Sequence, residues 1–530
     1  MTTDRPPPDL AELTDFLADP ASYPHAPASV RIVQTHISLV AIASPYVYKV
    51  KKPVDFGFLD FTTLDRRKHF CEEEVRINRR LCARIYRGVT PLSRCDGKLR
   101  FGDDGEIVDY AVTMEELDAR HFLHTLLEAG TLTRGHIDRV VDALVGFYRS
   151  DAARADLSRW GTVEALRVNT DENFDQTAVY AGRLVPRAAY EAIQAYTRRF
   201  YAERGDVLER RRAEGRIVDG HGDLRLEHIH AGPEGLCIYD AIEFSERLRA
   251  VDVASDIGFL AMDLDFNGRH DLARYVTDRI AHALNDPGLR DVIEFYTCYR
   301  AYVRAKVESM RSEEPEVPES ERAASRDRAR RYYRLALRYA TLGARPVTVV
   351  VMGRIGAGKS TLAGGLGEAL AVEVVSSDRI RKEDAGVPLF ERSAPDVRQW
   401  LYAPGRTEAV YAALRDRAVR RAAEGKSTIL DATYGRQDAR QALRAALDAA
   451  GVPCLFIEVT ASDAAIRARL ARRSRETGVV SDARLDDFET LAARYEAPAA
   501  GECPRLVRVE ARDDTEETLA QALMAMVKAA

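Results

Sequence analysis

No two cysteines in this chain stand in a C-x-x-C spacing. The seven present, Cys71, Cys82, Cys95, Cys237, Cys298, Cys454 and Cys503, are scattered and odd in number. Zinc sites and disulfide frameworks need clustered thiols, so neither is expected, and reduced cysteines are predicted. No run of about 18 apolar residues occurs, which leaves no candidate for a membrane-crossing helix. The opening residues, MTTDRPPPDL, lack the charged-then-apolar pattern of a secretory signal. A cytoplasmic protein without a membrane partner is expected, and nothing calls for an obligatory protein partner. Charge of one sign is also lacking: 78 Lys and Arg stand against 83 Asp and Glu, a formal net charge of -5. A general nucleic-acid coat or a strongly anionic membrane partner is disfavoured on that balance, though a local basic groove is not. What is present is globular, 46% hydrophobic and 30% charged over 530 residues. That length accommodates roughly two to four domains.

The apolar runs Ile37–Ala43 and Tyr46–Val50, divided by Ser-Pro, predict paired strands. Helical periodicity covers Leu64 and Glu72–Arg84, and a hairpin-like stretch follows around Lys98–Arg100 and Val108–Met114. Long helical patterns lead to Tyr201. Residues Ile217–Phe244 interrupt them with two strand-like pieces around a Gly-Pro turn, and further helices run from Val251 to Tyr339. The acidic, proline-bearing segment Ser312–Glu321 reads as a solvated loop. The change of organisation comes at Gly343-Ala-Arg-Pro346. From there five apolar strands, Val347–Met352, Glu373–Ser376, Thr428–Asp431, Leu455–Thr460 and Leu506–Glu510, alternate with helices, the pattern of a parallel α/β sheet. Two domains are expected, 1–342 and 343–530.

The sequence Gly353-Arg354-Ile-Gly356-Ala357-Gly358-Lys359-Ser360-Thr361 satisfies G-x-x-x-x-G-K-[ST]. Glycines allow main-chain N–H groups to wrap phosphates, Lys359 reaches the β- and γ-phosphates, and Ser360 offers a hydroxyl to Mg²⁺. The helix after it points its positive end at the same phosphates. The second strand ends at Ser376-Ser377-Asp378-Arg-Ile-Arg381. Carboxyl ends of neighbouring strands share one crevice, which puts Asp378 near the γ-phosphate as a base for an attacking hydroxyl. The alternative is that Asp378 caps a helix. Arg381, three residues on, suits an anionic group of the acceptor. Asp431 closes the third strand as a Walker-B-type partner for Mg²⁺. After the fourth strand, Arg467, Arg469, Arg472, Arg473 and Arg475 form a candidate lid, with Arg472 and Arg473 placed to meet the transferring phosphate. The block Val347–Glu510 resembles the AAA-type P-loop kinases of small molecules and polynucleotides: gluconate-, shikimate- and zeta-toxin-like kinases and polynucleotide 5′-kinases. Its Asp378-x-x-Arg381 is most similar to the polynucleotide kinases, where the aspartate is the base and the arginine binds the acceptor's phosphate.

In the N-terminal two thirds, Val218-Asp-Gly-His221-Gly-Asp223-Leu-Arg-Leu-Glu-His228 is followed by Leu236-Cys-Ile-Tyr-Asp240-Ala-Ile-Glu243. Two aspartates seventeen residues apart at strand edges suit phosphoryl transfer, one as base and one holding Mg²⁺. Upstream, Lys49 and Lys51 alternate on one strand face, and Glu72-Glu73-Glu74 offers carboxylate partners, of which Glu74 is chosen. No G-x-G-x-x-G precedes these lysines. The stretch resembles the H-G-D-x-x-x-x-N and I-D elements of aminoglycoside phosphotransferase-like kinases, and YKVKKPVDFGFLDF with HGDL resembles bacterial members fused to a P-loop kinase. That resemblance implies a bilobal protein-kinase-like N-terminal domain with Asp223 as base, His221 beside the substrate and Asp240 on the metal. His228 stands where the family has asparagine, a softer donor that favours Mn²⁺ over Mg²⁺ or weakens the site; the alternative is a histidine hydrogen-bonded within its loop.

The expectation is therefore an α/β and α+β protein, with an ATP-dependent kinase lobe followed by a P-loop kinase with a five-stranded parallel sheet. Its cofactors are ATP and Mg²⁺. Its acceptors carry hydroxyls: a polynucleotide 5′ end or a small metabolite at the C-terminal site, and a sugar or aminoglycoside-like molecule at the N-terminal one. Two other readings remain: a single P-loop kinase regulated by a non-catalytic ligand- or RNA-binding lobe, and a P-loop ATPase switch without an acceptor.

Overall fold

Alternating apolar residues in the first part of the chain build an antiparallel sheet. In the computed structural model, residues 8–57, 59–150, 157–315, 317–475, 480–482, 484–499, 501–503 and 505–530 are described. The strands are β1 (Arg31–Gln34), β2 (Ser38–Ala43), β3 (Tyr46–Lys51), β4 (Tyr86–Cys95), β5 (Lys98–Phe101) and β6 (Glu106–Glu115), arranged β1-β2-β3-β6-β4-β5. The period of two sends Leu39, Ala41, Ala43, Tyr48 and Val50 to one face, where Leu13 and Leu17 of the helix Leu10–Ala18 join them. Val112 and Met114 go to the opposite face, against Cys71, Val75 and Cys82 of the helix Leu64–Cys82. Strand β4 was not expected. Its sequence carries Gly88 and Pro91, which blunt a strand signal, and its pairing with β6 shifts register between Tyr86 and Gly88.

Four short strands follow: β7 (Ile217–Asp219) pairs with β10 (Ala250–Asp252), and β8 (Ile229–Gly232) forms a hairpin with β9 (Gly235–Ile238). The expected pair of strands around the Gly-Pro turn is this hairpin. The expectation of reduced cysteines fails here. Cys82, at the end of its helix, is disulfide-bonded to Cys237 on β9, with Cα atoms 4.8 Å apart. The partners are 155 residues apart in sequence, so no local spacing betrays them.

The chain forms two compact units, residues 1–169 with 205–296, and residues 170–204 with 297–530. It crosses between them three times, after Asn169, Arg204 and Tyr296, and at the second crossing the φ of -126° at Arg204 breaks the helical stretch Arg187–Ala213. The second unit contains β11 (Thr348–Gly353), β12 (Glu373–Ser376), β13 (Thr428–Asp431), β14 (Cys454–Thr460) and β15 (Leu506–Glu510). They form one parallel sheet in the order β12-β13-β11-β14-β15. This is the expected five-stranded parallel sheet. Its core joins Val350, Met352, Leu430 and Phe456 to Leu414 and Leu443 of the helices Pro404–Ala423 and Gln437–Ala449. The helix Lys359–Leu370 packs on β11, β12 and β13, and the helices Glu319–Leu342 and Thr515–Ala529 pack against it. The expected boundary at 342/343 falls within this unit, between Glu319–Leu342 and β11. Among the described residues, no helix is long and apolar enough to cross a membrane.

Thiol titration of the denatured, unreduced chain should find five free thiols, those of Cys71, Cys95, Cys298, Cys454 and Cys503, and seven after treatment with dithiothreitol. Seven without reductant would remove the covalent tie between Cys82 and Cys237.

Candidate functional site

The C-terminal candidate site lies where β11 turns into the helix Lys359–Leu370. Gly353 sits at φ 142°, and a Cβ there would lie 2.3 Å from the Val459 carbonyl oxygen, so no other residue fits between β11 and β14. Gly358 starts the helix at φ 107°. Register places Ser376, Asp431 and Val351 side by side across β12, β13 and β11. Burial pushes the pKa of the Asp431 carboxyl up, and the Ser360 and Ser376 hydroxyls, which act to lower it, do not offset this. Lys359 Nζ donates to the Arg354 carbonyl at 2.9 Å. Burial lowers its pKa, and the carboxylates of Asp431 and Asp378, which act the other way, do not restore it. Arg473 also faces it, adding like charge.

Asp378 lies in the first turn of the helix Ser377–Asp384, whose capping position belongs to Ser376, so it is not a cap. It accepts a hydrogen bond of 3.3 Å from the Tyr402 hydroxyl. Arg381 is buried: one guanidinium nitrogen donates to the Leu401 carbonyl at 2.8 Å and to Thr407 at 3.2 Å. Arg472 and Arg473 end the helix Asp463–Arg473, and Arg392 donates to the Arg473 carbonyl. The expected lid segment, Ala465–Arg475, lies mostly in this helix. Arg469 donates to the Ala357 carbonyl at 3.1 Å and to the Ala511 carbonyl at 2.9 Å, and Arg354 pairs with Asp463 at 2.8 Å. These bonds fix both flanks of the phosphate loop. Sequence reasoning missed a buried knot nearby, Lys382 with Asp482 at 3.5 Å, where Asp482 also accepts from Ser393 Oγ at 2.7 Å. No local motif marks it.

The N-terminal candidate site gathers residues from four separate segments. Lys49 Nζ lies 2.9 Å from Glu74 and 2.7 Å from Asp240, and Lys51 Nζ lies 2.8 Å from Glu74 and contacts Glu243. Glu72 and Glu73 turn instead toward Lys68 and Arg76. Burial alone would lower both lysine pKa values, but Asp240 and Glu74 at Lys49, and Glu243 and Glu74 at Lys51, raise them above the ordinary value. Burial works to raise the Asp240 carboxyl, yet Lys49 holds it below the usual carboxylate range. Glu243 moves up, through burial above all.

The His221–Asp223 loop hangs from Asp256, a fully buried side chain that accepts from the His221 N–H at 2.7 Å and the Gly222 N–H at 2.8 Å. His221 Nε2 meets the Tyr239 carbonyl at 2.9 Å, which fixes the proton on Nε2, and Nδ1 then accepts from the Asp223 N–H at 3.3 Å. His221 thus makes its hydrogen bonds to the backbone. Arg225 grips Asp223 with two bonds of 2.9 Å, one to each carboxylate oxygen. His228 Nδ1 donates to the Asp223 carbonyl at 2.8 Å, and its Nε2 lies 3.6 Å from Asp240. Asp256, Arg225 and Glu243 were not singled out from the sequence. Among the described residues, no three His, Cys, Asp or Glu side chains converge as a metal site. At the C-terminal site Ser360 and Asp431 offer hard oxygen donors of the kind Mg²⁺ takes. At the N-terminal site both Asp223 oxygens and one Asp240 oxygen are already engaged by cations, so the donor set does not fit a metal as it stands.

Residues 349–498 match a family model described as an AAA domain, so the C-terminal region is a P-loop domain of that type. Over 470 residues the chain is 31% identical to the uncharacterized protein Rv2004c of Mycobacterium tuberculosis, covering 88% of this chain and 90% of that one. The protein Mb2027c of Mycobacterium bovis matches to the same extent, 31% over 470 residues. Among solved structures, a gluconokinase from Sinorhizobium meliloti aligns at 21% identity over 34% of this chain and 93% of that one, TM-score 0.25. The Mycobacterium tuberculosis APS kinase CysC, in complex with AMPPNP and APS, aligns at 17% over 35% and 98%, TM-score 0.25. Chaetomium thermophilum Kti12, in complex with ADP-AlF3, aligns at 21% over 34% and 98%, TM-score 0.26.

The neutral state of His221 carries a pH signature. Burial, followed by the neighbouring His228, lowers its pKa from 6.5 to about 4. The unfolded chain therefore takes up this proton first as pH falls. The stabilisation is complete above pH 6.5 and is lost between 6.5 and about 4, roughly 3 kcal/mol over the full span. Denaturant unfolding of the full chain at pH 7 and pH 4.5 should show a larger acid loss for wild type than for His221→Asn. Equal losses would mean that His221 is not held neutral.

Proposed function

The chain belongs to the family of the Mycobacterium tuberculosis and Mycobacterium bovis proteins Rv2004c and Mb2027c, and we propose that it is an ATP-dependent kinase acting on a hydroxyl acceptor at its C-terminal site. One observation carries this reading: Asp378, in the first turn of the helix that follows β12, adds a second carboxylate at the strand ends where Ser376 lies beside Asp431, and both carboxylates act on the Lys359 ammonium. A nucleotide switch needs only Lys359, Ser360 and Asp431. An additional carboxylate at the phosphate end supplies what an attacking hydroxyl requires, an acceptor for its proton. In this reading Gly353, Arg354, Gly356, Ala357, Gly358 and Thr361 shape the phosphate cradle and Lys359 binds the β- and γ-phosphates of ATP. Ser360 and Asp431 would hold Mg²⁺, which bridges the phosphates and offsets their charge, while Arg472 and Arg473 close from the lid side. The lowered pKa of Lys359 supports it, because that ammonium has too little negative charge around it and an anionic phosphate supplies the rest.

The N-terminal unit is read as a protein-kinase-like lobe with a second nucleotide site, in which Lys49 and Lys51 meet phosphates, Glu74 fixes the lysines, and Asp240 would take a cation only once released from Lys49. Its acceptor, if Asp223 acts as base, is a sugar or aminoglycoside-like alcohol. The bidentate pair of Asp223 with Arg225 favours the other version, a lobe that binds nucleotide or ligand without transferring phosphate and regulates the C-terminal kinase. A carboxylate with both oxygens held by a guanidinium is a poor base.

The test is phosphate transfer from labelled ATP by the full chain to a panel of sugars, aminoglycosides and 5′-hydroxyl oligonucleotides. Lys359→Ala should reduce transfer by roughly 10²–10³-fold, the effect of losing one charge-stabilising contact. Asp378→Asn should lower kcat with little change in ATP affinity. ATP hydrolysis that needs Lys359 but is indifferent to Asp378→Asn would make this a switch and not a kinase.

The N-terminal site is best read in the Lys359→Ala background. There, calorimetry should detect Mg·ATP or Mn·ATP binding that Asp240→Ala weakens and Asp223→Ala leaves nearly intact. Arg225→Ala frees Asp223. Transfer appearing in that variant marks a latched second kinase, whereas binding without transfer marks a regulatory lobe. No nucleotide binding with either metal would refute a second nucleotide site.

A further inference from the structure

Four large aromatic or aliphatic side chains of the second unit stand open to solvent, Phe390, Trp400, Tyr402 and Leu485, between 37% and 61% exposed. Three of them are aromatic and lie within residues 390–402. The Arg406 guanidinium already lies over the Trp400 ring, 3.3 Å from its centre, so Phe390 and Tyr402 are the rings left to be covered. Tyr402 is tied to the proposed chemistry directly, because its hydroxyl donates to Asp378 at 3.3 Å. The guanidinium of Arg381 lies 4.3 Å from the centre of its ring. Arg381 itself is only 6% exposed, is bonded through one nitrogen to Leu401 and Thr407, and leaves its buried Nε without a hydrogen-bond partner. A guanidinium so enclosed is not positioned to grip a negative group of an acceptor. It is positioned to hold the ring of Tyr402 in place from beneath.

We propose that Tyr402, braced by Arg381, is the platform on which the phosphate acceptor stacks, and that the acceptor therefore carries a flat heteroaromatic ring near its attacking hydroxyl, as a nucleoside does. The ring has one face on the guanidinium while 40% of the residue remains open, and its edge carries the hydroxyl bonded to the base. A base stacked on it would set an attached ribose hydroxyl beside Asp378. The step then balances simply: the acceptor oxygen forms a bond to the γ-phosphorus of ATP, the bond to the bridging oxygen breaks, ADP leaves, and the hydroxyl proton passes to Asp378. An open-chain sugar acid such as gluconate has no flat face to lay on this surface. Free nucleosides and the 5′ end of an oligonucleotide share the same chemistry, and base stacking on an aromatic residue is sequence-tolerant. Here Arg381 is a positioning residue acting through Tyr402, and Tyr402 fixes acceptor class.

This inference rests on the C-terminal kinase reading, and the experiment separates the two. The full chain is assayed with labelled ATP and three acceptors: adenosine, a 5′-hydroxyl oligonucleotide and gluconate. Adenosine or the oligonucleotide should be phosphorylated in preference to gluconate, and which of the two is used distinguishes the sources. Tyr402→Leu, which keeps bulk without a π face, should raise KM for the ring-bearing acceptor roughly tenfold or more, while Tyr402→Phe should keep it within about threefold. Arg381→Met should raise the same KM, and Arg381→Lys should restore part of it, with KM for ATP unchanged in each. Preferred use of gluconate, or a Tyr402→Leu protein with unaltered KM, overturns the proposal while leaving a kinase. Should none of the three be phosphorylated, equilibrium dialysis of labelled adenosine and oligonucleotide decides the platform by itself, and the kinase reading is decided by the response of ATP hydrolysis to Asp378→Asn. Binding lost in Tyr402→Leu and kept in Tyr402→Phe supports it; absence of binding to the wild-type chain overturns it.

Discussion

A lysine ammonium withdrawn from water loses several kcal/mol of hydration, and the loss must be offset by carboxylates or by a bound anion. Much of this molecule is organised by that requirement. Lys49 and Lys51, next to each other on β3, draw in Glu74 from a helix and Asp240 and Glu243 from the segment after β9. Lys382, also buried, draws in Asp482 from a hundred residues further along. Each of these contacts joins segments that local chain geometry would leave apart. Arg211 does the same between Asp252 and Asp286, with all three side chains buried. The charge network therefore fixes which loops converge, and the hydrophobic clusters fix the elements from which those loops emerge.

The two candidate sites differ in how far the requirement is met. At Lys49 the surrounding carboxylates overcome burial, and the pKa rises. At Lys359 burial prevails over Asp431 and Asp378, and the pKa falls. The first ammonium is saturated by the protein itself; the second is short of negative charge and bonded to a single carbonyl, that of Arg354. A triphosphate entering the C-terminal loop completes an arrangement that the chain leaves incomplete. At the N-terminal site it must first compete with Asp240 or Glu74 for the same ammonium. The difference in sign thus separates a site poised for an anion from one held closed in its absence.

What could be seen in the sequence follows from how local each signal is. The strands Glu373–Ser376, Thr428–Asp431 and Leu506–Glu510 appear with the expected bounds, because short apolar runs between helices have few other uses in a parallel sheet. The glycines of Gly353–Gly358 are read from spacing because the backbone there admits no side chain. Glu74 was separable from Glu72 and Glu73 by helical phase. Cys71, Glu74, Val75, Asn78 and Cys82 follow the three-and-four spacing of one buried face. Asp256 was not visible, since it lies in an apolar helix and acts on N–H groups thirty-five residues away. Arg225 stands in plain view beside Asp223, but only the side-chain geometry reveals that it occupies both carboxylate oxygens. Arg381 shows the limit from the other side: its spacing from Asp378 implied an acceptor ligand, and whether it faces solvent or a tyrosine ring is set by the segment 395–407, which no three-residue spacing describes.

The crowding of charge in the N-terminal cluster also bears on how it could bind a nucleotide. Among the described residues, Asp223, Glu227, Asp240, Glu243 and Glu74 crowd around Lys49, Lys51 and Arg225. Burial moves the Glu243 carboxyl up, so the carboxylates are already short of solvation. A bare triphosphate entering beside them would meet like charge. A phosphate group can enter only together with a cation, and the cation must displace existing ion pairs because the Asp223 oxygens and one Asp240 oxygen are taken. His228 bears on which cation. Its Nδ1–H is committed to the Asp223 carbonyl, so Nε2 presents a lone pair on the side of Asp240, 3.6 Å away, with Arg225 donating to it at 3.3 Å. The same arginine therefore blocks both the carboxylate and the imidazole. Its release would open an oxygen and a nitrogen donor together, a pair better suited to a softer divalent ion than to Mg²⁺. Latch and metal preference are then consequences of one side chain.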